Sequence, residues 1–338
     1  MMATARKNVS PNAFQQEPEP EPSPTGAGAP RKEPARAATY ALIVLATVIW
    51  GGTWSVGHFM AASLPAFTNS FLRFAIASVP LLAAARLMEG SVFGGAFPKQ
   101  HVTWADVGFF TLAGLTGVFA YNIAFFTGLR TVNSSTGSLI VAFSPVITII
   151  LAAMVLREPL TWRKLAGAAI SFAGVAVVLL EAISASGVVG SGAGESGWTG
   201  GLLLVFAAAM WASYGIIGKL AMRRYSALVT TAWASAIGAA LLLPGAIYEN
   251  AWRAAFSSPW TFWAAMGYMA ILSSVLAFVW WYHGIKSIGA GKASVFLNLV
   301  PVLAVVIGAG FLGEPFTAQH LAGGLLVLAG VTLANTSR

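Results

Sequence analysis

Residues 145–175 read PVITIILAAMVLREPLTWRKLAGAAISFAGV, and residues 301–331 read PVLAVVIGAGFLGEPFTAQHLAGGLLVLAGV. At a constant offset of 156, without a gap, 13 of the 31 positions are identical. Pro145/Pro301, Glu158/Glu314, Pro159/Pro315, Thr161/Thr317, Gly167/Gly323 and Gly174/Gly330 are among them. The same offset pairs Gly128 with Gly284 and Ser138 with Ser294, and a slightly different one pairs Trp50 and Gly57 with Trp211 and Gly218. Shared apolar composition produces scattered Leu and Ala matches, but not an ungapped Glu-Pro-x-Thr among them. The chain is an internal duplication.

Around this repeat the 338 residues are 57% hydrophobic and 9% charged, with mean hydropathy +0.76. A soluble domain carries about 25% charged residues because its surface must face water. A chain this poor in charge must turn most of its outer surface to lipid. A helix needs about 20 apolar residues to cross ~30 Å of hydrocarbon. Ten stretches qualify: 40–61, 66–88, 104–127, 132–154, 164–182, 200–222, 226–247, 262–284, 292–313 and 320–336. They are apolar on every face, whereas transmembrane strands alternate. With the N terminus inside, 16 of the 19 Lys and Arg fall in inner loops or tails, two (Arg130, Arg253) fall outside, and Arg73 lies within a span. That asymmetry predicts ten spans with both termini cytoplasmic. It also accounts for the net charge of +8 without nucleic acid.

Five spans per copy is an odd number, so the second copy starts on the opposite side of the membrane from the first. Inverted repeats of this kind recur in secondary transporters, with substrate held near the midplane between the halves. The fold class expected is therefore an all-α integral membrane protein of ten transmembrane helices, arranged as two inverted five-helix repeats. Residues 1–37, with the run Glu17-Pro18-Glu19-Pro20-Glu21-Pro22, bury almost nothing and read as a disordered cytoplasmic tail. Lacking an apolar core, this tail is not a cleaved secretory signal. Residues 38–182 form the first repeat, 183–199 an external linker and 200–338 the second repeat.

Trp50-Gly51 in the first span, Pro65 followed by Arg73 in the second, and the paired series Pro145…Glu158-Pro159…Gly167…Gly174 and Pro301…Glu314-Pro315…Gly323…Gly330 resemble the drug/metabolite transporter superfamily. The chain is similar to its ten-helix EamA-type exporters, with two EamA repeats over about residues 40–336. The resemblance implies a bacterial inner-membrane exporter of amino acids or other small metabolites, as in the YddG-type amino-acid exporters. The seventh span departs from the pattern in having no counterpart to Arg73.

Mid-span prolines in corresponding spans of inverted halves point to the transport pathway, so Pro145 and Pro301 are candidate hinges, each kinking its helix and freeing a carbonyl one turn earlier. Ser138, Ser294 and Asn298 lie one to two turns before them and should face the bundle interior rather than lipid. Trp50 and Trp211 sit at the centres of the first span of each half, where an indole N–H needs an acceptor or a cavity. Trp54 follows Trp50 on one helical face, and Tyr214 follows Trp211. With Tyr121, Asn122, Trp281 and Tyr282 these residues make up the candidate substrate cavity, interhelix packing being the competing role. Trp104, Trp162, Trp198, Trp252, Trp260 and Trp263 fall near span ends, where aromatic belts form. Arg73 is the basic residue within a span; structural pairing with a partner is the reading preferred, and binding of a substrate carboxylate the alternative. Glu158 and Glu314 end the fourth and ninth spans, each followed by Pro and by a Thr suited to cap the next helix, and read as structural or gating residues.

Other functions find less support. Absence of cysteine excludes disulfides and thiolate chemistry. Four scattered histidines and a single aspartate, Asp106, leave no clustered ligands, so no metal, cofactor or catalytic residue is expected, and an intramembrane enzyme using magnesium is disfavoured. A channel-like uniporter, or an exporter of drugs or other aromatic or cationic compounds, stands as the alternative function. The expected partners are a small-molecule substrate and the lipid bilayer; a monomer is consistent with the sequence, which fixes no oligomeric state.

Overall fold

The computed structural model describes residues 33–89, 103–157, 160–185, 194–221, 224–288 and 296–335. Among these, ten helical rods follow one another. They are α1 (Glu33–Ser63), α2 (Ala66–Glu89), α3 (Trp104–Gly128), α4 in two pieces (Ser134–Val141 and Ser144–Leu156), α5 (Trp162–Ala185), α6 (Gly194–Ala221), α7 (Ala227–Glu249), α8 (beginning at Trp260–Gly267 and ending at Ala277–Ile288), α9 (Phe296–Asn298 running into Leu299–Leu312) and α10 (Ala318–Asn335). Seven rods are each long and apolar enough to cross a membrane, and Phe296–Leu312 and Ala318–Leu333 are apolar but shorter. The protein is a multi-pass, all-α membrane protein built from two inverted repeats.

Helix starts follow local chemistry. Thr103 and Asp106 form a reciprocal capping box at the start of α3, and Asn133 and Ser226 cap α4 and α7. Thr317 accepts from the His320 amide at 3.2 Å, the cap expected for the residue after Glu-Pro. Two boundaries differ from those read in the sequence. α1 begins at Glu33, because Pro34 suits a first turn and the Ala-rich stretch after it favours helix. α6 begins at Gly194, inside the expected linker. The rest of the expected tail (1–32) and of the linker (186–193) lies outside the described residues.

The duplication is visible in packing. α5 lies along α10 and α2 along α7, while α1 packs on α9 as α6 packs on α4, and α3 on α6 and α7 as α8 packs on α1 and α2. Exchanging each helix for the one five places on leaves this pattern unchanged, as a two-fold axis requires. At the α5–α10 contact, a Cβ at Gly174 would stand 2.6 Å from the Gly323 carbonyl, and one at Gly330 would stand 2.5 Å from the Gly167 carbonyl. Those two contacts are each other's images at offset 156, and Ser171 faces its own mate, Val327. Residue numbers rise along α5 as they fall along α10, so the two run antiparallel. α4 and α9 also end alike. Arg157 (φ 56) and Gly313 (φ 63) are left-handed caps 156 residues apart, and their amides donate to Ala152 and Gly308, again 156 apart.

The hinge prolines behave differently from a mid-helix kink. α4 stops at Val141, turns through Ala142 and Phe143, and restarts at Ser144, so Pro145 occupies the first turn of a new helix. Its missing N–H falls where no intrahelical acceptor exists anyway. Pro301 is the third residue of the α-helical part of α9, just after the 3-10 turn Phe296–Asn298. The spans are broken at these points rather than bent. Two π-helical segments were not foreseen. Gly114–Ala120 lies within α3 and Tyr268–Leu276 within α8, at corresponding places in the two halves. Such segments widen the backbone ladder and frequently accompany functional sites.

Candidate functional site

Arg73 lies seven residues, about 10 Å, into α2, and is 7% exposed. Its Nε donates to Ser274 Oγ at 3.1 Å and its Nη1 to Asn122 Oδ1 at 3.2 Å. Ser274 belongs to one π-helical segment, and Asn122 lies just past the end of the other. Ser274 donates in turn to the Met269 carbonyl at 2.9 Å, and Asn122 Nδ2 donates to Val118 and Gly117 carbonyls at 2.8 and 3.3 Å. The irregular turns of α3 and α8 thus find side-chain donors for carbonyls that their widened ladders release. Arg73 spans the gap between them, joining one half to the other.

Ser273, beside Ser274, ties the same turn of α8 to α1. Its carbonyl accepts from Trp50 Nε1 at 3.1 Å and its Oγ from Thr53 Oγ1 at 3.0 Å. Tyr268 closes the contact by donating to the Ile49 carbonyl at 2.6 Å. A continuous polar seam therefore runs from α1 through α8 and Arg73 to α3.

Aromatic clusters flank this seam. Trp50 packs edge-on against Phe278 at 5.3 Å and Trp281 at 5.4 Å. Trp211 packs on Tyr121 at 5.3 Å and Tyr214 at 5.4 Å. In both, the tryptophan of one half's first span meets an aromatic of the other half's third span, Tyr214 being on the same helix as Trp211, and this two-fold relation gives an aromatic wall on either side. Tyr121 also lies within electrostatic reach of Arg73. Tyr214 contacts Thr231 through its hydroxyl at 3.3 Å.

The remaining candidates separate from this centre. Trp54 is buried against Phe125 at 5.1 Å in the main core. Ser138 is buried and spends its hydroxyl on the Ser135 carbonyl at 2.8 Å, so it is satisfied within its own helix. Asn298 is half-buried at the start of α9, and none of the described contacts brings it to Trp50 or Trp211. Ser294, Glu158 and the side chain of Tyr282 lie outside the described residues. Arg73 has no carboxylate partner among the described residues; the partners it pairs with are the neutral oxygens of Ser274 and Asn122. Of the tryptophans assigned to belts, Trp104, Trp162, Trp198 and Trp260 are exposed, whereas Trp252 packs on Phe71 and Trp263 on Phe262.

Glu314 does not cap its own following helix. It crosses to the first half and accepts from the amides of Ser134 and Ser135 at 2.9 and 3.0 Å and from their hydroxyls at 2.7 and 2.5 Å. Burial pushes its carboxyl up, but the Ser135 and Ser134 donors outweigh that and hold it below its ordinary value of 4.5. Glu249, at the end of α7, does the same for α2, accepting from Phe67 and Thr68 amides at 3.0 and 2.7 Å and from the Thr68 hydroxyl at 2.8 Å. Both carboxylates meet helix N-termini, where backbone donors and the helix dipole favour negative charge. Since α2 and α4 start at one end of the bundle, both caps join the halves at that end. At the opposite end, where α3 starts, Asp106 pairs with Arg224 at 2.7 Å. Glu249, Ser273 and Ser274 were not singled out from the sequence. The acidic residue closing an apolar span was the available signal for Glu249, and a serine pair near mid-span the signal for the other two.

The EamA-like transporter family profile matches residues 37–180 and 198–336. Among relatives, the uncharacterized transporter YyaM of Bacillus subtilis is 29% identical over 88% of this chain and 93% of its own length. A probable terminal-alkyne amino-acid exporter of Streptantibioticus cattleyicolor is also 29% identical, over 88% of this chain and 93% of that protein. A solved crystal structure at 19% identity superposes with a TM-score of 0.57 over 88% of this chain and 96% of that one, a likeness of fold.

Proposed function

The chain belongs to the EamA-like transporter family, and from that premise we propose that it is a secondary transporter exporting amino acids or similar small metabolites across a bacterial inner membrane by alternating access. The observation that carries this reading is the seam at Arg73. One charged group, two interrupted helices and two symmetry-related aromatic clusters converge between the inverted halves, where such transporters hold substrate. Small-molecule sites combine apolar walls with a few placed polar groups in this way. The relative named as a probable amino-acid exporter supports the substrate class. Broken helices at Pro145 and Pro301 supply places where rods can pivot.

Purified protein in liposomes tests the reading by counterflow. Labelled amino acid should exchange with unlabelled amino acid faster than in empty liposomes. A pore would equilibrate without counterflow, and transport of anionic nucleotide sugars but of no amino acid would overturn the substrate class. Trp50→Ala and Trp211→Ala each remove an indole that meets two rings, each contact worth about 0.5–1.5 kcal/mol, so transport should fall about tenfold or more with the amount of folded protein unchanged. An equal loss of folded protein would instead assign those rings to packing.

Both termini are proposed to be cytoplasmic, on the charge asymmetry of the loops. A tag after Ser191 should report the outside, and tags at Arg224 and Arg338 the inside. An external C terminus would reverse the assignment.

A further inference from the structure

We propose that Arg73 is the anchor for the substrate's carboxylate, with Asn122 and Ser274 holding its guanidinium between transport events. The proposal rests on the reading of the Arg73 seam as the transport site. A guanidinium keeps its proton at neutral pH, so the charge persists inside the bundle. Charges inside a membrane bundle are costly and ordinarily pair with one another or with backbone carbonyls. Here no carboxylate lies near Arg73 among the described residues, and its two hydrogen bonds go to neutral side-chain oxygens. A group serving packing alone would be cheaper without the charge.

The geometry also shows how the charge is kept available. These are ordinary hydrogen bonds to neutral oxygens, 3.1 and 3.2 Å, and a carboxylate would offer the guanidinium a stronger, charged acceptor. Both acceptors are held in place by other bonds, Ser274 Oγ donating to Met269 and Asn122 Nδ2 to Val118, so releasing Arg73 leaves their orientation fixed and costs one acceptor, Asn122 Oδ1, its donor. Nη2 has no acceptor among the described residues. Nη2 is not one of the fully buried polar atoms left without a partner among the described residues, so on a residue 7% exposed it keeps a small accessible surface for a further acceptor.

The ligand class follows from what surrounds the group. One guanidinium matches one carboxylate through two parallel hydrogen bonds; a phosphate dianion would call for further cations. Tyr121, next to Asn122, packs at a tilt against Trp211, which places an aromatic surface beside the anchor. That surface suits an apolar side chain and can face an ammonium group. A small monocarboxylate with an apolar or aromatic body, an α-amino acid zwitterion included, satisfies all three features.

Thermal unfolding of the purified full chain in detergent tests this directly. The probes are L-phenylalanine, L-threonine and phenylacetate, each beside its amide. At least one acid should raise the Tm, with its amide binding about a hundredfold more weakly or not at all. In Arg73→Gln, affinity for that acid should fall about tenfold to a hundredfold, and the difference between acid and amide should disappear. Arg73→Lys keeps a charge but not the fork, and should retain the preference for acid at about tenfold lower affinity. If Arg73→Gln does not fold, the wild type and Arg73→Lys decide between the outcomes. An amide that binds as well as its acid, no stabilisation by any acid, or an Arg73→Gln that still discriminates would each overturn the proposal. Binding of phenylacetate with no amino-acid counterflow would leave the anchor standing and overturn amino-acid export instead.

Discussion

Replacing Gly174 or Gly330 by leucine should leave little folded protein. At Gly174 a Cβ would stand 2.6 Å from the Gly323 carbonyl oxygen and 2.7 Å from the Val327 amide; at Gly330 it would stand 2.5 Å from the Gly167 carbonyl and the Ser171 amide. All four are backbone atoms, which cannot rotate aside as a side-chain tip can. α5 and α10 would have to separate along their whole contact, and in lipid that contact is what holds them, since no hydrophobic effect drives helices together there. Alanine already overpacks the site and should cost about 1–3 kcal/mol; leucine should abolish recovery of monodisperse protein. Gly215→Ala and Gly310→Ala meet nothing within 4 Å and should be neutral or slightly stabilising. Thermal unfolding in detergent and yield after size exclusion provide the comparison. A Gly174→Leu protein with wild-type yield and Tm would show that the helices do not pack this closely.

The same glycines show why so much of the fold is legible in the sequence. Gly167, Gly174, Gly323 and Gly330 recur at one offset because they meet at a symmetric contact, and a contact related to itself by a two-fold axis must repeat in the chain. Arg157 and Gly313 obey the same offset, but the caps use different residues, so the sequence pattern does not display them. Features made by pairing unlike positions are hidden. Glu249 closes α7 but serves α2, a partner 181 residues away in the chain. The π segments carry no distinctive residues, since Gly114–Ala120 and Tyr268–Leu276 share little beyond being apolar. Within the site, Trp50, Tyr121, Asn122, Trp211 and Arg73 were found by asking which polar or aromatic groups lipid would not tolerate. That question cannot tell a hydroxyl that serves only its own helix, as at Ser138, from one that also accepts from across the interface, as at Ser274. It also leaves the partner of Arg73 unnamed, because the two neutral side chains that serve it stand on other helices, far away in the chain.

Glu314→Ala should loosen the end of the bundle where α2 and α4 begin. The change removes both carboxylate oxygens from four donors and leaves the Ser134 and Ser135 amides uncapped at the start of α4, at a cost of about 2–3 kcal/mol. Asn133 still accepts from the Thr136 amide, so the helix persists while its tie to the second half is lost. Because the chain has no cysteine, a reporter can be placed without background. Ser55 is buried 3.4 Å from Ser134, and thiol labelling of Ser55→Cys should be at least tenfold faster in the Glu314→Ala protein, since ~1.4 kcal/mol is tenfold in an opening equilibrium. Glu249→Ala should act in the same direction through α2. The pH dependence separates this tie from a proton-driven gate. The Glu314 carboxyl is held below 4.5 in the folded protein, so its contribution is complete above that ordinary value and is lost as pH falls through the lowered one. Between pH 5 and 8 it stays ionised, and labelling of Ser55→Cys in otherwise wild-type protein should not vary through this group. Under the proposed orientation the two carboxylates close the external side, so that the substrate's arrival, rather than protonation of Glu314, must supply the energy that opens it. Labelling as slow with Glu314→Ala as without it, in folded protein, would confine Glu314 to capping a helix.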